Sequence, residues 1–113
     1  MSLAGFSPEH APEISPELIA TAKRIGDILR NHYAGKAKAV NSARIEKALS
    51  ISGPAVRAAM RYLRKELHLP ICSDGSGYYW AATHEELDKC IQHLRSRRNS
   101  LDETLAEMEG IRL

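Results

Sequence analysis

The sequence predicts a mostly α-helical fold with one small β-hairpin and a long C-terminal helix. Three observations point to it. Apolar residues recur at helical spacing in successive stretches between residues 18 and 67. Two short β-prone runs, 69–73 and 78–81, flank Asp74-Gly75-Ser76-Gly77, whose glycines suit a hairpin turn. A heptad series then runs from Leu87 to Met108.

Each element has its own local signals. Residues 1–14 contain Pro8 and Pro12 and little apolar content, and are expected to form a loose, flexible arm. Ser15-Pro16-Glu17 supplies an N-cap, a proline at the first helical position and an acid in the first turn. A first helix should follow to about Tyr33, with Leu18, Ile19, Ala22, Ile25, Ile28 and Leu29 on its apolar side. Gly26 inside it costs about 1 kcal/mol relative to Ala, which suggests a close neighbour. Lys38-Ala39-Val40 has room for a single extended bridge. Asn41 or Ser42 caps a second helix through Leu49, and Ser52 caps a third, whose Gly53-Pro54 start tolerates an amide-poor first turn.

The third helix should reach Leu67. Val56, Met60, Leu63 and Leu67 form its core stripe, and Arg57, Arg61, Arg64 and Lys65 a second stripe turned about 100° away. Arg64 is expected to be structural, pairing with Glu66 or a nearby acid. Pro70 stands at the start of its strand, where a proline is tolerated. Thr83 with Glu86 is a capping box that opens the last helix, from His84 to about Glu109, ahead of Gly110. The expected organisation is therefore an arm over 1–14, a domain over 15–82 and a C-terminal helix over 83–113.

Composition limits the chemistry. A chain of 113 residues, 43% apolar and 27% charged, has the profile of one ordinary globular domain. No stretch approaches the roughly 20 apolar residues of a membrane span, and residues 1–12 lack a secretory signal, so a cytoplasmic location is expected. Two cysteines are too few for a disulfide framework. Neither Cys90 with His93 nor His68 with Cys72 has the spacing of a zinc site, so no metal is expected. The histidines, at 10, 32, 68, 84 and 93, have no catalytic partners arranged in sequence, and no glycine-rich phosphate loop lies in a strand-to-helix context. A non-enzymatic protein without a cofactor is expected.

Charge is unevenly spread. The net charge of +2 divides into −3 over residues 1–22, +9 over 23–65 and −4 over 66–113. The central block holds eleven Lys or Arg against Asp27 and Glu46 only. Such a block either binds a polyanion or is a solvated basic face.

A short helix, a break, a longer helix and then a hairpin form the outline of a helix-turn-helix with a wing. In detail, Ser52, Val56, Met60, Leu63-Arg64, Pro70-Ile71 and Gly77-Tyr78 resemble the winged helix-turn-helix at the N-terminus of biotin-protein ligase repressors and of many small bacterial and phage regulators. The resemblance covers roughly residues 20–82. It implies a DNA-binding protein, a transcriptional or phage-replication regulator, with residues 52–61 in a major groove and the hairpin near the flanking backbone.

On that reading double-stranded DNA is the partner. Ser52, Gly53, Pro54 and Ala58 would lie against it, with the amides around Gly53 and Pro54 facing a phosphate. Arg57 and Arg61 would contact phosphates or guanine edges, and Lys36, Lys38, Arg44 and Lys47 flanking phosphates. Gly53, Pro54, Ala55 and Ala58 offer few hydrogen bonds to bases, so direct readout falls to the two arginines. Asp74 in the wing turn would repel phosphate. The alternative is a winged-helix module that makes protein–protein contacts and binds no DNA.

In the last helix Leu87, Ile91, Leu94, Arg98, Leu101, Leu105 and Met108 are spaced alternately four and three apart. About 25 helical residues span ~37 Å, more than a body of this size covers. Leu87, Ile91, Leu94, Leu101, Leu105 and Met108 are therefore expected to form a homodimer contact, the other use being to fold back on the first helix.

Overall fold

Three helices, a two-stranded hairpin and a fourth, longer helix follow one another in a computed structural model that describes residues 14–112. The expected arm, apart from Ile14, lies outside the described residues.

Helix α1 spans Pro16–His32, and Ser15 Oγ accepts from the Leu18 amide at 3.1 Å. Helix α2 spans Ser42–Leu49 and is capped by Asn41, whose Oδ1 accepts from the Arg44 amide at 2.8 Å. It ends on Ser50 in the left-handed region, φ 53°. Helix α3 spans Gly53–Lys65, with Ser52 as its cap. Between α1 and α2 the chain makes one 3-10 turn at Lys36–Lys38.

The core lies where α1 crosses α3. Ala22, Ile25 and Leu29 from α1 meet Val56, Ala59, Met60 and Leu63 from α3, with Val40, Ile45 and Ile71 closing the edges, and all are buried. Burying each large side chain contributes about 1.5–3 kcal/mol. Gly26 has the close neighbours its position suggests: a Cβ there would stand 3.3 Å from Leu63 Cδ2 and 3.4 Å from Leu69 Cδ1.

Leu67 is a correction. The stripe places it in the core, but α3 stops at Lys65 and Leu67 is an exposed residue. The chain reverses through His68 at φ 54°, the Leu69 amide donates to the Leu63 carbonyl at 3.0 Å, and Leu69 packs on the core instead.

Strands β1 (Ile71–Asp74) and β2 (Gly77–Trp80) pair antiparallel, Ile71 opposite Trp80 and Asp74 opposite Gly77. The α1–α2 connection is laced along the other edge of β2. Val40 and Tyr78 exchange both amide-to-carbonyl bonds, at 2.8 and 2.7 Å. Gly35 donates to the Trp80 carbonyl at 2.8 Å, and Trp80 to that of Tyr33 at 2.9 Å. The single bridge expected near Val40 is thus present, and a second one joins Ala34 to Trp80.

Helix α4 spans His84–Glu109, capped by Thr83 Oγ1, which accepts from the Glu86 amide at 3.1 Å. Glu86 makes other bonds than the reciprocal one to the Thr83 amide that a capping box implies. Its carboxylate accepts from the Lys36 amide at 3.0 Å and the Ala82 amide at 2.8 Å, and these bonds hold its pKa below the usual range. Leu87 and Cys90 pack on a second small cluster of Cys72, Tyr79 and Ala81. Burial, and then the neighbouring Cys90, push the Cys72 thiol up to about 12; burial, and then Cys72, raise Tyr79 to about 12 as well. No helix among the described residues is long and apolar enough to cross a membrane.

Two outcomes are expected. Gly77 has φ 130°, and a Cβ there would collide with the Val40 carbonyl and come within 2.9 Å of the Asn41 amide nitrogen. Gly77→Ala should therefore destabilise by at least ~2 kcal/mol in urea denaturation. Gly75→Ala, with open space at its Cβ, should be nearly neutral; equal losses would remove the lacing as the cause.

The raised Cys72 pKa means that the fold favours the protonated thiol. Its contribution is fully present below the ordinary value of 9.0 and is lost as pH rises towards about 12. The urea midpoint should fall over that range, with a shallower fall in Cys72→Val, and Cys72 should resist thiol reagents at pH 8 until the chain unfolds. Rapid labelling of native Cys72 would contradict this.

Candidate functional site

The solvent side of α3 follows from its buried side. With Val56, Met60 and Leu63 facing α1, the residues about a third of a turn away must face out, and Arg57 and Arg61 are both exposed, one turn apart. Ser52 and Pro54 are exposed at the helix start, and Gly53 and Ala58 are half-buried. Lys36, Lys38, Arg44 and Lys47 are exposed on the preceding elements.

Amide accounting at the start of α3 revises one expectation. Pro54 has no N–H, the Ala55 amide donates to Ser52 Oγ at 3.2 Å, and the Val56 amide donates to the Ser52 carbonyl at 3.0 Å. Gly53 carries the one first-turn amide without a partner among the described residues. Beside it stands Glu46, whose Oε1 lies 3.5 Å from where a Cβ on Gly53 would be, with Arg57 Nη1 at 3.6 Å from the same point. The other Glu46 oxygen accepts from Ser42 Oγ at 2.9 Å. A phosphate approaching Gly53 and Pro54 would meet one free amide and a carboxylate already favoured by the helix dipole. The start of α3 thus offers one free amide, and the positive charge of this face comes from its arginines.

Arg64 does not belong to that face. Its Nε donates to the Ile71 carbonyl at 2.8 Å and its Nη2 to Ser73 Oγ at 3.3 Å, fixing β1 to α3. A structural role was expected, but the partners are a carbonyl and a hydroxyl of the hairpin and no acid is involved.

Asp74 is also placed differently from the sequence expectation. Its Oδ1 accepts from the Ser76 amide at 2.7 Å, and its Oδ2, buried and without a hydrogen-bond donor, lies 3.6 Å from Lys36 Nζ. The acid of the hairpin is directed into the turn it stabilises, with its charge set against Lys36. One expected phosphate contact thus already faces an acid. Among the described residues Lys38, Arg44, Lys47, Arg57 and Arg61 make no ion pair.

The six residues expected to form a dimer contact divide in two. Leu87 packs half-buried on the hairpin of its own chain, whereas Ile91, Leu94, Leu101, Leu105 and Met108 are all exposed. Helix α4 is not folded back on α1. Beyond Cys90 it extends from the body as a stalk, every described residue of it exposed.

Glu46 beside the start of α3, and the Glu86 bond to the Lys36 amide, are two features that spacing does not reveal. Glu46 is one of only two acids in the basic block, and that rarity is its only mark in the sequence. Comparison with protein-family models, with curated proteins and with solved structures finds no match.

The division of labour between neighbouring arginines can be measured. Arg64→Ala removes a charged donor from the Ile71 carbonyl and should destabilise by about 1–2 kcal/mol. Arg61→Ala, exposed and unpaired, should stay within about 0.5 kcal/mol of the parent protein in the same denaturation experiment. Equal effects would contradict these separate roles.

Proposed function

We propose that the chain is a winged helix-turn-helix protein that binds double-stranded DNA, with α3 as its recognition helix and the β1–β2 hairpin as its wing. The observation that carries the reading is the pair Arg57 and Arg61. They stand one turn apart on the exposed face of a helix whose opposite face is locked into the core, and neither has an acidic partner among the described residues. Guanidinium groups so presented fit phosphates and guanine edges. Lys38, Arg44 and Lys47 add unpaired positive charge on preceding elements.

The small residues at Pro54, Ala55 and Ala58 and the acid at Glu46 shape what this face recognises. Backbone charge and groove shape carry the affinity, and base-edge contacts are few. The hairpin contributes little to affinity, because its turn carries Asp74 and no base, and that acid offsets part of the charge of nearby Lys36.

The test is affinity for random duplex as a function of salt. Arg57→Ala with Arg61→Ala should reduce binding sharply and shallow the slope of log affinity against log salt by about one unit per lost phosphate contact. Asp74→Asn keeps an acceptor for the Ser76 amide and releases Lys36, so it should tighten binding at low salt. Unchanged affinity and slope in the double variant would remove α3 from the interface. Failure of the parent protein to bind any duplex would leave the winged-helix module that contacts proteins.

A further inference from the structure

The stalk of α4 is complementary to itself when reversed. We infer that its occupant is a second copy of this chain, paired antiparallel about a two-fold axis between Asn99 and Ser100. Duplex binding plays no part in the argument.

The apolar face gives the register. Ile91, Leu94, Leu101, Leu105 and Met108 are 38%, 52%, 67%, 57% and 62% exposed, far from the burial such residues have within a domain. Antiparallel helices match first core positions of the heptad with second ones. One register does this for the whole exposed series, placing Ile91 opposite Met108, Leu94 opposite Leu105, and Arg98 opposite Leu101 of the second copy. The stretch 91–108 is used completely. Leu87, which seats the helix on its own hairpin, falls just outside.

Charge selects the same register independently. Within the apolar stretch Arg95, Arg97 and Arg98 form a basic cluster centred near residue 97, and Asp102, Glu103 and Glu107 an acidic cluster centred near residue 104, while just outside it Asp88 and Lys89 offset one another. None of these six clustered charges makes an ion pair among the described residues. Reversal about the midpoint near residue 100 lays each basic block along the other copy's acidic block. Arg95 then flanks Asp102 of the second copy, while at the ends of the pairing, beyond the apolar seam, Asp88 flanks Glu109 as a like-charge pair exposed to water. Arg98, near the axis, has the same carboxylate in reach, which answers the penalty of a charge in an apolar seam.

Parallel pairing is poorer in the seam itself. It stacks Arg98 on Arg98 in the seam and sets acid block beside acid block. Only Arg97 with Asp102 of the second copy is attractive across its edges. A globular partner would need no palindromic match of both spacing and charge.

The experiment uses the full chain. Sedimentation at tens of micromolar should give twice the 12.5 kDa mass of one chain, and Leu94→Glu with Leu105→Glu should weaken association by at least roughly 100-fold. Arg98→Leu should tighten it. Orientation is read by disulfide trapping in a Cys90→Ala background, where the remaining native thiol, Cys72, is buried. Leu94→Cys alone and Leu105→Cys alone should form no interchain disulfide, while their equimolar mixture should form one. Positions 94, 98 and 105 lie on the exposed stalk, whereas Cys90 is half-buried on the hairpin, so circular dichroism and the urea midpoint of the Cys90→Ala protein check that the fold persists. A monomer in sedimentation, or self-crosslinking of either single variant, would overturn the proposal.

Discussion

The arrangement depends on the four backbone hydrogen bonds that lace residues 33–40 along β2. An isolated two-stranded hairpin is marginal in water, and this one is held because its outer edge is paired. The lacing requires the Val40 backbone to lie against Gly77, where no side chain fits. It also brings the Lys36 amide to Glu86 and Lys36 Nζ to Asp74. The hairpin, the 3-10 turn and the start of α4 are thereby fixed to the helix that carries Arg57 and Arg61. Arg64 closes the circuit from α3 to β1.

Within this frame the acids matter as much as the bases. A net charge of +9 over residues 23–65 suggests a uniformly positive surface, but the structure redistributes it. Glu46 stands at the start of α3, and Asp74 faces Lys36 from outside the block. What remains unpaired is a narrower set of cations. A sequence tally sums charges along the chain, whereas a ligand meets them after folding has paired some of them.

Much of the fold is legible in the sequence because its signals are local. Ser15, Ser52 and Thr83 cap their helices as their chemistry suggests, and the turn at residues 74–77 forms the expected hairpin. The misses have two causes. Leu67 leaves the core because His68 takes a positive φ without being a glycine, which composition does not mark. Cys72 and Cys90 become neighbours, and Glu86 bonds an amide 50 residues away, through tertiary packing alone. The candidate face was legible at Arg57 and Arg61, which lie one helical turn apart. Its modulation by Glu46 and Asp74 was not, because it depends on how separate elements meet.

The junction at the base of α4 has a further consequence. Thr83 caps the helix, Glu86 clasps two amides, and Leu87 and Cys90 are seated on the hairpin, so the stalk leaves the body without a flexible joint. A helix so anchored transmits rotation as well as distance, like a shaft keyed to a wheel. Each residue added along it advances the far end by about 1.5 Å and turns it by about 100°. Seven added residues nearly restore the phase, with a drift of ~20°, while three or four swing the outer surface to a different azimuth. The length of this helix therefore sets the azimuth of its outer face relative to the body.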